Sequence, residues 1–98
     1  MKNKPVKDYI ITSHALFEMK RRGLSEDTLD AILSEPGQRL PVRKGRVVLQ
    51  SLLSMDKPSR TCLVRVFVDV DRHPAEVVTA YRTSKISKYW SEDHESEL

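Results

Sequence analysis

The 98 residues, 39% of them hydrophobic and 32% charged, have the composition of one folded globular domain and exclude a disordered polypeptide. No apolar run approaches the ~18 residues that a transmembrane helix requires, and the N-terminus lacks the apolar centre of a secretory signal, so we expect a cytosolic protein without membrane association. A single cysteine, Cys62, and three scattered histidines exclude an internal disulfide and predict neither a metal site nor a cofactor.

The net charge of +3 is unevenly distributed along the chain. The last eight residues contain no Lys or Arg and four acidic residues, namely Glu92, Asp93, Glu95 and Glu97. Residues 1–90 therefore carry +7, which favours polyanionic partners, although solubility alone is an alternative explanation. We expect residues 1–90 to form a single domain and residues 91–98 to form an acidic, disordered tail.

The first predicted elements are two short helices. A loose lead-in with a short extended segment at residues 9–11 is followed by Thr12 and Ser13, either of which can cap a helix that ends at Arg22, before a glycine. Ser25 then caps a second helix that ends in the segment 34–37.

The remaining elements are predicted to be extended. A weak basic segment at residues 39–42 and a turn at 43–45 precede strands at 47–53, 61–70 and 76–83, and a short helix or coil follows at 84–90. In the 61–70 strand the even-numbered residues form one apolar face, whereas the opposite face carries Arg65 and Phe67. This order predicts an α+β domain in which two N-terminal helices pack on one face of a three- to four-stranded antiparallel sheet and leave its other face open.

The first helix carries a titratable stripe. His14, Glu18 and either Arg21 or Arg22 recur at helical spacing. His14 falls in the first helical turn, where the positive end of the helix dipole favours the neutral imidazole that a general base requires. The alternative is a set of solvated side-chain pairs in which His14 has no chemical role.

The last strand carries a second polar group. Thr79, Tyr81 and Thr83 are predicted to project from the same side as Val77. If the last two strands are neighbours, Arg65 joins this group on the open face. Cleavage of RNA without metal requires a base for the ribose 2′-hydroxyl, cations for the charged transition state and an acid for the leaving oxygen. The alternative is a solvated sheet face.

A third group is basic and lies around the predicted turn. It consists of Arg39, Arg43, Lys44 and Arg46. These side chains are better suited to phosphate contact than to catalysis, and a soluble loop is the alternative. Trp90 is interpreted as a packing anchor for the C-terminal segment.

Two segments carry a family resemblance, at residues 13–25 (SHALFEMKRRGLS) and 77–85 (VVTAYRTSK). Together they resemble a family of small bacterial domains, formerly of unknown function, that is related to BrnT and RelE-like toxins. The resemblance implies a barnase/EndoU/RelE-type ribonuclease fold, cleavage of RNA without metal, and a neighbouring antitoxin that holds the enzyme inactive. Glu18 departs from the family pattern, which has an arginine at this position.

The resemblance assigns catalytic roles to His14, Arg22, Thr79, Tyr81 and Lys85. Strand phasing adds Arg65 to this set, and Arg21 and Lys88 extend the predicted RNA-binding surface. We therefore expect a toxin-like endoribonuclease of the mRNA-interferase type, with RNA as substrate and an antitoxin-like protein as partner. The alternative is a noncatalytic RNA-binding or protein-interaction module of the same fold, which Glu18 favours because a carboxylate repels phosphate unless a cation pairs with it.

Overall fold

A computed structural model describes residues 3–55 and 59–91 of the chain. In chain order the elements are β1 (Tyr9–Ile11), α1 (Ser13–Arg21), α2 (Glu26–Ser34), β2 (Gln38–Arg43), β3 (Arg46–Met55), β4 (Arg60–Asp69), β5 (Ala75–Thr83) and α3 (Ile86–Tyr89). Part of the predicted loop at 55–59 and all but the first residue of the predicted acidic tail lie outside the described residues.

The sheet corrects the fold predicted from the sequence. It has five strands in the order β1-β5-β4-β3-β2, and it is mixed because β1 pairs with β5 in parallel while the other pairs are antiparallel. The prediction of three or four antiparallel strands was therefore wrong. β1 has only three residues, too few to show an alternating pattern, and its position is fixed by distant contacts. One of them is the hydroxyl of Tyr9, which donates a 2.8 Å hydrogen bond to Asp30 on α2.

Both helices contribute buried residues to one face of the sheet, but α1 also reaches around the edge of the sheet. β1 pairs only with the start of β5, and α1 follows directly from it: the backbone N–H of Thr12 donates to the carbonyl of Val77. α1 then runs along β5, with Met19 buried in the core on one face of the sheet and Arg22 reaching Tyr81 on the other. α1 thus lies along the sheet edge, whereas α2 packs against β3 and β4.

Local sequence signals do account for where the helices begin. The side chain of Thr12 accepts a hydrogen bond from the backbone N–H of Ala15, and that of Ser25 accepts one from Thr28, each at 3.1 Å. Both predicted N-caps are confirmed. After α1 the backbone of Gly23 has a φ of 69°, the left-handed conformation that ends a helix and that glycine adopts without strain.

The sheet has one covered apolar face and one polar face. Buried residues of α1 and α2 pack against the covered face, to which the strands contribute Leu49, Val64, Val66, Val68, Val77 and Ala80. The alternation predicted for β4 is confirmed, but the one predicted for β5 was wrong at Val77. A β-bulge leaves Val78 unpaired, so Val77 faces the helices while Thr79 lies on the polar face opposite Phe67.

No helix within the described ranges has the length and apolar character needed to cross a membrane.

Candidate nucleic-acid interface

Four polar side chains lie side by side across the polar face. In the strand register Gln38 is opposite Gln50, Gln50 is opposite Arg65, and Arg65 is opposite Tyr81, so the set crosses β2, β3, β4 and β5. We call these four residues the polar row. The predicted adjacency of Arg65 and Tyr81 is thus confirmed, because β4 and β5 are neighbours and pair with these residues in register.

Hydrogen bonds connect the members of the polar row. Arg65 Nη1 donates to the hydroxyl of Tyr81 and Arg65 Nε donates to Gln50 Oε1, both at 2.8 Å. Gln50 Nε2 in turn donates to Gln38 Oε1, also at 2.8 Å. Both glutamines are fully buried, whereas Arg65 and Tyr81 are half-buried and face the surface.

Aromatic rings surround the guanidinium of Arg65. Its Cζ lies 4.3 Å from the ring centroid of Tyr89, 5.2 Å from that of Phe67 and 5.9 Å from that of Tyr81. Within the described part of the chain, Arg65 forms no ion pair. Its charge is therefore stabilised by π-electron density and neutral acceptors, and no carboxylate among the described residues compensates it.

The end of α1 adds a second cation to this surface. Arg22 Cζ lies 5.8 Å from the ring centroid of Tyr81, while its Nε donates to Glu18 at 3.1 Å. Arg21 also donates to Glu18, and its own guanidinium lies over the exposed ring of Phe17. The hydrogen bond from Arg22, followed by the charges of the two arginines, lowers the pKa of the Glu18 carboxyl.

His14 lies at the opposite end of α1 from Arg22. They are eight positions apart in the sequence, which corresponds to about 12 Å along the helix axis. Because Thr12 is bonded to Val77, the N-terminal end of α1, which carries His14, is anchored beside β5. His14 is exposed, and within residues 3–55 and 59–91 its side chain makes no hydrogen bond. The structure therefore places His14 at the N-terminal end of α1 and Arg22 beside Tyr81.

The C-terminal segment packs on the polar face. The carbonyl of Tyr89 accepts from Gln50, and the backbone of Ser91 both accepts from Gln38 and donates to it. Trp90 is half-buried and comes so close to Gly37 that a Cβ there would lie 3.2 Å from the indole. Its predicted role as a packing anchor is confirmed, and Ser91, predicted to begin the tail, is tied to the sheet.

Two predicted lysines lie on this C-terminal segment. Lys85 and Lys88 are both exposed, and Lys88 Nζ lies 5.3 Å from the ring centroid of Tyr89. The positive charge of Lys88, with a smaller contribution from Arg65, lowers the pKa of the Tyr89 phenol. The segment thus extends the cationic and aromatic character of the surface.

The basic turn predicted as a phosphate-binding group is not part of this surface. Arg43 and Lys44 are exposed in the β2–β3 turn, but Arg46 forms an ion pair with Asp69. Asp69 lies four residues from Arg65 along β4, a separation of about 13 Å. The hydrogen bonds from Arg46 lower the pKa of the Asp69 carboxyl, and the pair stabilises the turn end of the sheet.

The two glutamines and Tyr89 were missed by the sequence analysis. Gln50 is a lone amide inside the apolar segment at residues 47–53, which is a detectable signal because a buried amide requires partners. Gln38 and Tyr89 give no such signal, since their burial follows from packing between distant segments. Among the described residues, no three His, Cys, Asp or Glu side chains cluster as metal ligands would.

Comparison of the chain with protein-family models, with curated proteins and with solved structures finds no match. The relationship to BrnT and RelE-like toxins therefore stays a prediction from the two segments at residues 13–25 and 77–85.

Proposed function

We propose that the chain is a metal-independent endoribonuclease that binds single-stranded RNA on its polar face. The observation that carries the proposal is the environment of Arg65, a half-buried guanidinium without an ion-pair partner among the described residues and beside three aromatic rings. An uncompensated guanidinium suits a phosphate, and adjacent rings suit unstacked bases.

The chemistry of the proposed reaction is an internal transesterification. A base removes the proton of a ribose 2′-hydroxyl, the oxygen attacks the adjacent phosphorus, and the 5′-oxygen leaves with a proton from an acid. The products are a 2′,3′-cyclic phosphate and a 5′-hydroxyl. Arg65 and Arg22 stabilise the charge on the phosphate oxygens, and Lys85 supplies a further cation.

The proton transfers are assigned to the groups at the sheet edge. His14 is the base or acid, and Thr79 on the polar face of β5 is the hydroxyl assigned to assist it. The hydroxyl of Tyr81 accepts from Arg65 and is hydrogen-bonded to the phenol of Tyr89, so its O–H must turn from Tyr89 to donate to a phosphate oxygen or to the leaving oxygen. The remaining cations of this surface, Arg21 and Lys88, contact the strand outside the scissile link.

The biological setting that we propose is a cytosolic toxin–antitoxin pair. The resemblance implies a partner protein that covers the toxin. Phe17 on α1 and Ile10 on β1 are large apolar side chains, 60% and 49% exposed on successive elements, and they offer such a partner an apolar contact. Co-purification with the product of an adjacent gene, and its loss in Phe17→Ser, tests this part of the proposal.

The proposal is tested with a labelled single-stranded RNA and the DNA of the same sequence, both in chelator at low salt. We expect wild-type protein to bind both strands and to cleave only the RNA, since cleavage requires the 2′-hydroxyl. Arg65→Met should weaken binding by about tenfold or more, as expected for loss of a charge-assisted hydrogen bond. Arg60→Met, which removes an exposed arginine from the start of the same strand, is the charge-matched control.

Two results would contradict the proposal. Equal weakening by Arg65→Met and Arg60→Met would show that binding depends on net charge and not on the polar face. RNA that stays intact with wild-type protein, at concentrations that saturate binding, would remove the enzymatic part.

Binding without cleavage is the second candidate function. It is favoured by Glu18, whose carboxylate already accepts hydrogen bonds from both Arg21 and Arg22. The charges of Arg21 and Arg22 are consequently compensated by Glu18 in the free protein. Stabilisation of a transition state would instead require these charges to be available to the phosphate. In this case His14→Ala leaves RNA affinity unchanged, and no cyclic phosphate is formed by any variant.

A further inference from the structure

We propose that Gln50 and Gln38 are positioning residues for Arg65, and that the backbone of Ser91 fixes the orientation of both amides. The inference rests on the proposed function, because the purpose of the arrangement is to present Arg65 to a phosphate. It adds a component that the RNA chemistry does not require: a link between the C-terminal segment and the guanidinium.

The orientation of the Gln50 amide is determined by its three partners. Its nitrogen donates to two oxygens, Gln38 Oε1 at 2.8 Å and the carbonyl of Tyr89 at 3.1 Å. Its oxygen therefore faces Arg65, whose Nε donates to it at 2.8 Å. A flipped amide would place N–H groups against the guanidinium of Arg65, where only an acceptor fits.

The orientation of the Gln38 amide is determined in the same way by Ser91. Gln38 Nε2 donates to the carbonyl of Ser91 at 2.8 Å, and Gln38 Oε1 accepts from the backbone N–H of Ser91 at 3.2 Å. One backbone residue thus contacts both ends of the amide. The same Oε1 accepts from Gln50, so the orientation is passed along the polar row to Arg65.

Packing alone does not explain two amides at these positions. Gln38 and Gln50 are 1% and 0% exposed, and the same face holds fully buried apolar side chains such as Val48 and Leu63. A buried amide costs free energy unless all of its partners are present, and an apolar residue of similar size is often as stable. The amides therefore have a use in orienting a neighbour.

The consequence is that the guanidinium of Arg65 is held in one orientation. Of its five N–H groups, two are used, one by Gln50 and one by Tyr81. Within residues 3–55 and 59–91 the other three have no hydrogen-bond partner and can bind a ligand, in a plane held by the two bonds and by the ring of Tyr89. Such a guanidinium binds phosphate with less loss of side-chain freedom than a mobile one.

The test uses the full chain and two substitutions at Ser91. Ser91→Pro removes the N–H that donates to Gln38, and the backbone of Trp90, with a ψ of 124°, already suits a following proline. Ser91→Ala keeps the N–H and is the matched control. The second variant is Gln38→Met, which removes the amide group but keeps a side chain of similar size. Ile32→Val, on the covered face, is the control for a general loss of stability.

The first readout is the Arg65 Nε–H signal by NMR in the absence of RNA. We expect Ser91→Pro and Gln38→Met to raise its exchange rate with water several-fold, although neither residue touches Arg65, while Ser91→Ala and Ile32→Val leave it unchanged. The second readout is RNA affinity. It should fall about threefold in Ser91→Pro and in Gln38→Met, and lowering the temperature should restore the affinity of neither variant.

The two readouts separate the possible failures. An unchanged Arg65 signal in both Ser91→Pro and Gln38→Met overturns the positioning role, even if wild-type protein binds RNA. An altered signal with no RNA binding by wild-type protein supports the positioning of Arg65 and overturns the proposed function.

Discussion

The two faces of the sheet are formed by the same strands, yet different interactions hold them together. On the covered face, Leu49, Val66 and Ala80 are fully buried against α1 and α2, and the hydrophobic effect suffices to fix them. On the polar face, Gln50 and Arg65 occupy intervening positions on β3 and β4, and directional hydrogen bonds fix them. We infer that the covered face sets stability and the polar face sets function, so substitutions should separate the two properties.

The largest effect is expected from the covered face. Leu33→Ala removes a fully buried side chain of α2 and should lower the free energy of unfolding by about 2–5 kcal/mol, because a cavity remains. Leu52→Ala makes the same change at a 41% exposed position and should cost less than about 1 kcal/mol. Urea denaturation measures both. If RNA affinity of the folded protein fell in Leu33→Ala, the separation of the two faces would be incorrect.

An intermediate effect is expected at the start of α1. Thr12 caps the helix and also donates from its hydroxyl to the carbonyl of Val77, so Thr12→Ala should cost about 1–2 kcal/mol. Ser25→Ala removes the equivalent cap of α2 at a cost of about 1 kcal/mol. Only Thr12→Ala should also slow RNA cleavage, since His14 lies in the first turn of α1. Equal cleavage rates in the two variants would show that His14 is not required.

A smaller effect is expected at Glu18. Glu18→Gln frees the guanidinium groups of Arg21 and Arg22 and should raise RNA affinity about two- to fivefold at low salt, with a smaller gain at high salt. Glu35→Gln changes the net charge equally at an exposed position after α2 and is the control. Gains of the same size in both variants would exclude a specific role for the end of α1.

The smallest effect is expected from the ion pair at the turn end of the polar face. Because Arg46 lowers the pKa of Asp69, the pair contributes stability at neutral pH that is lost as the pH falls from about 3.9 through the lowered value. Asp69→Asn should therefore lower the Tm by less than about 5 °C at pH 7, and by less still at pH 3. A difference in Tm that is constant between these pH values would contradict this account.

The sequence predicted several parts of the molecule because their signals are local. A hydroxyl at Thr12 or Ser25 caps its helix through contacts within three residues, and the alternation in β4 separates the two faces without reference to any other strand. The same alternation placed Arg65 on the face that carries Tyr81. These features depend on neighbouring residues and on the pleat of a strand.

Parts of the candidate site could not be predicted in this way. The bulge at Val78, which separates Val77 from Thr79, arises where β5 changes its neighbour from β1 to α1. The burial of Gln38 requires the C-terminal segment, 53 residues further along the chain, to fold back onto the sheet. The position of His14 depends on how α1 lies against β5.

The amino-acid sequence by itself determined the caps, the extended segments and the basic character of residues 1–90, because propensity, alternation and charge are properties of short stretches or of simple sums. Only the tertiary structure decided that β1 joins the sheet in parallel and that Gln38, Gln50, Arg65 and Tyr81 stand in one row. The physical reason is that strand register and edge pairing are selected by the burial of the whole core, to which residues far apart in the chain contribute together.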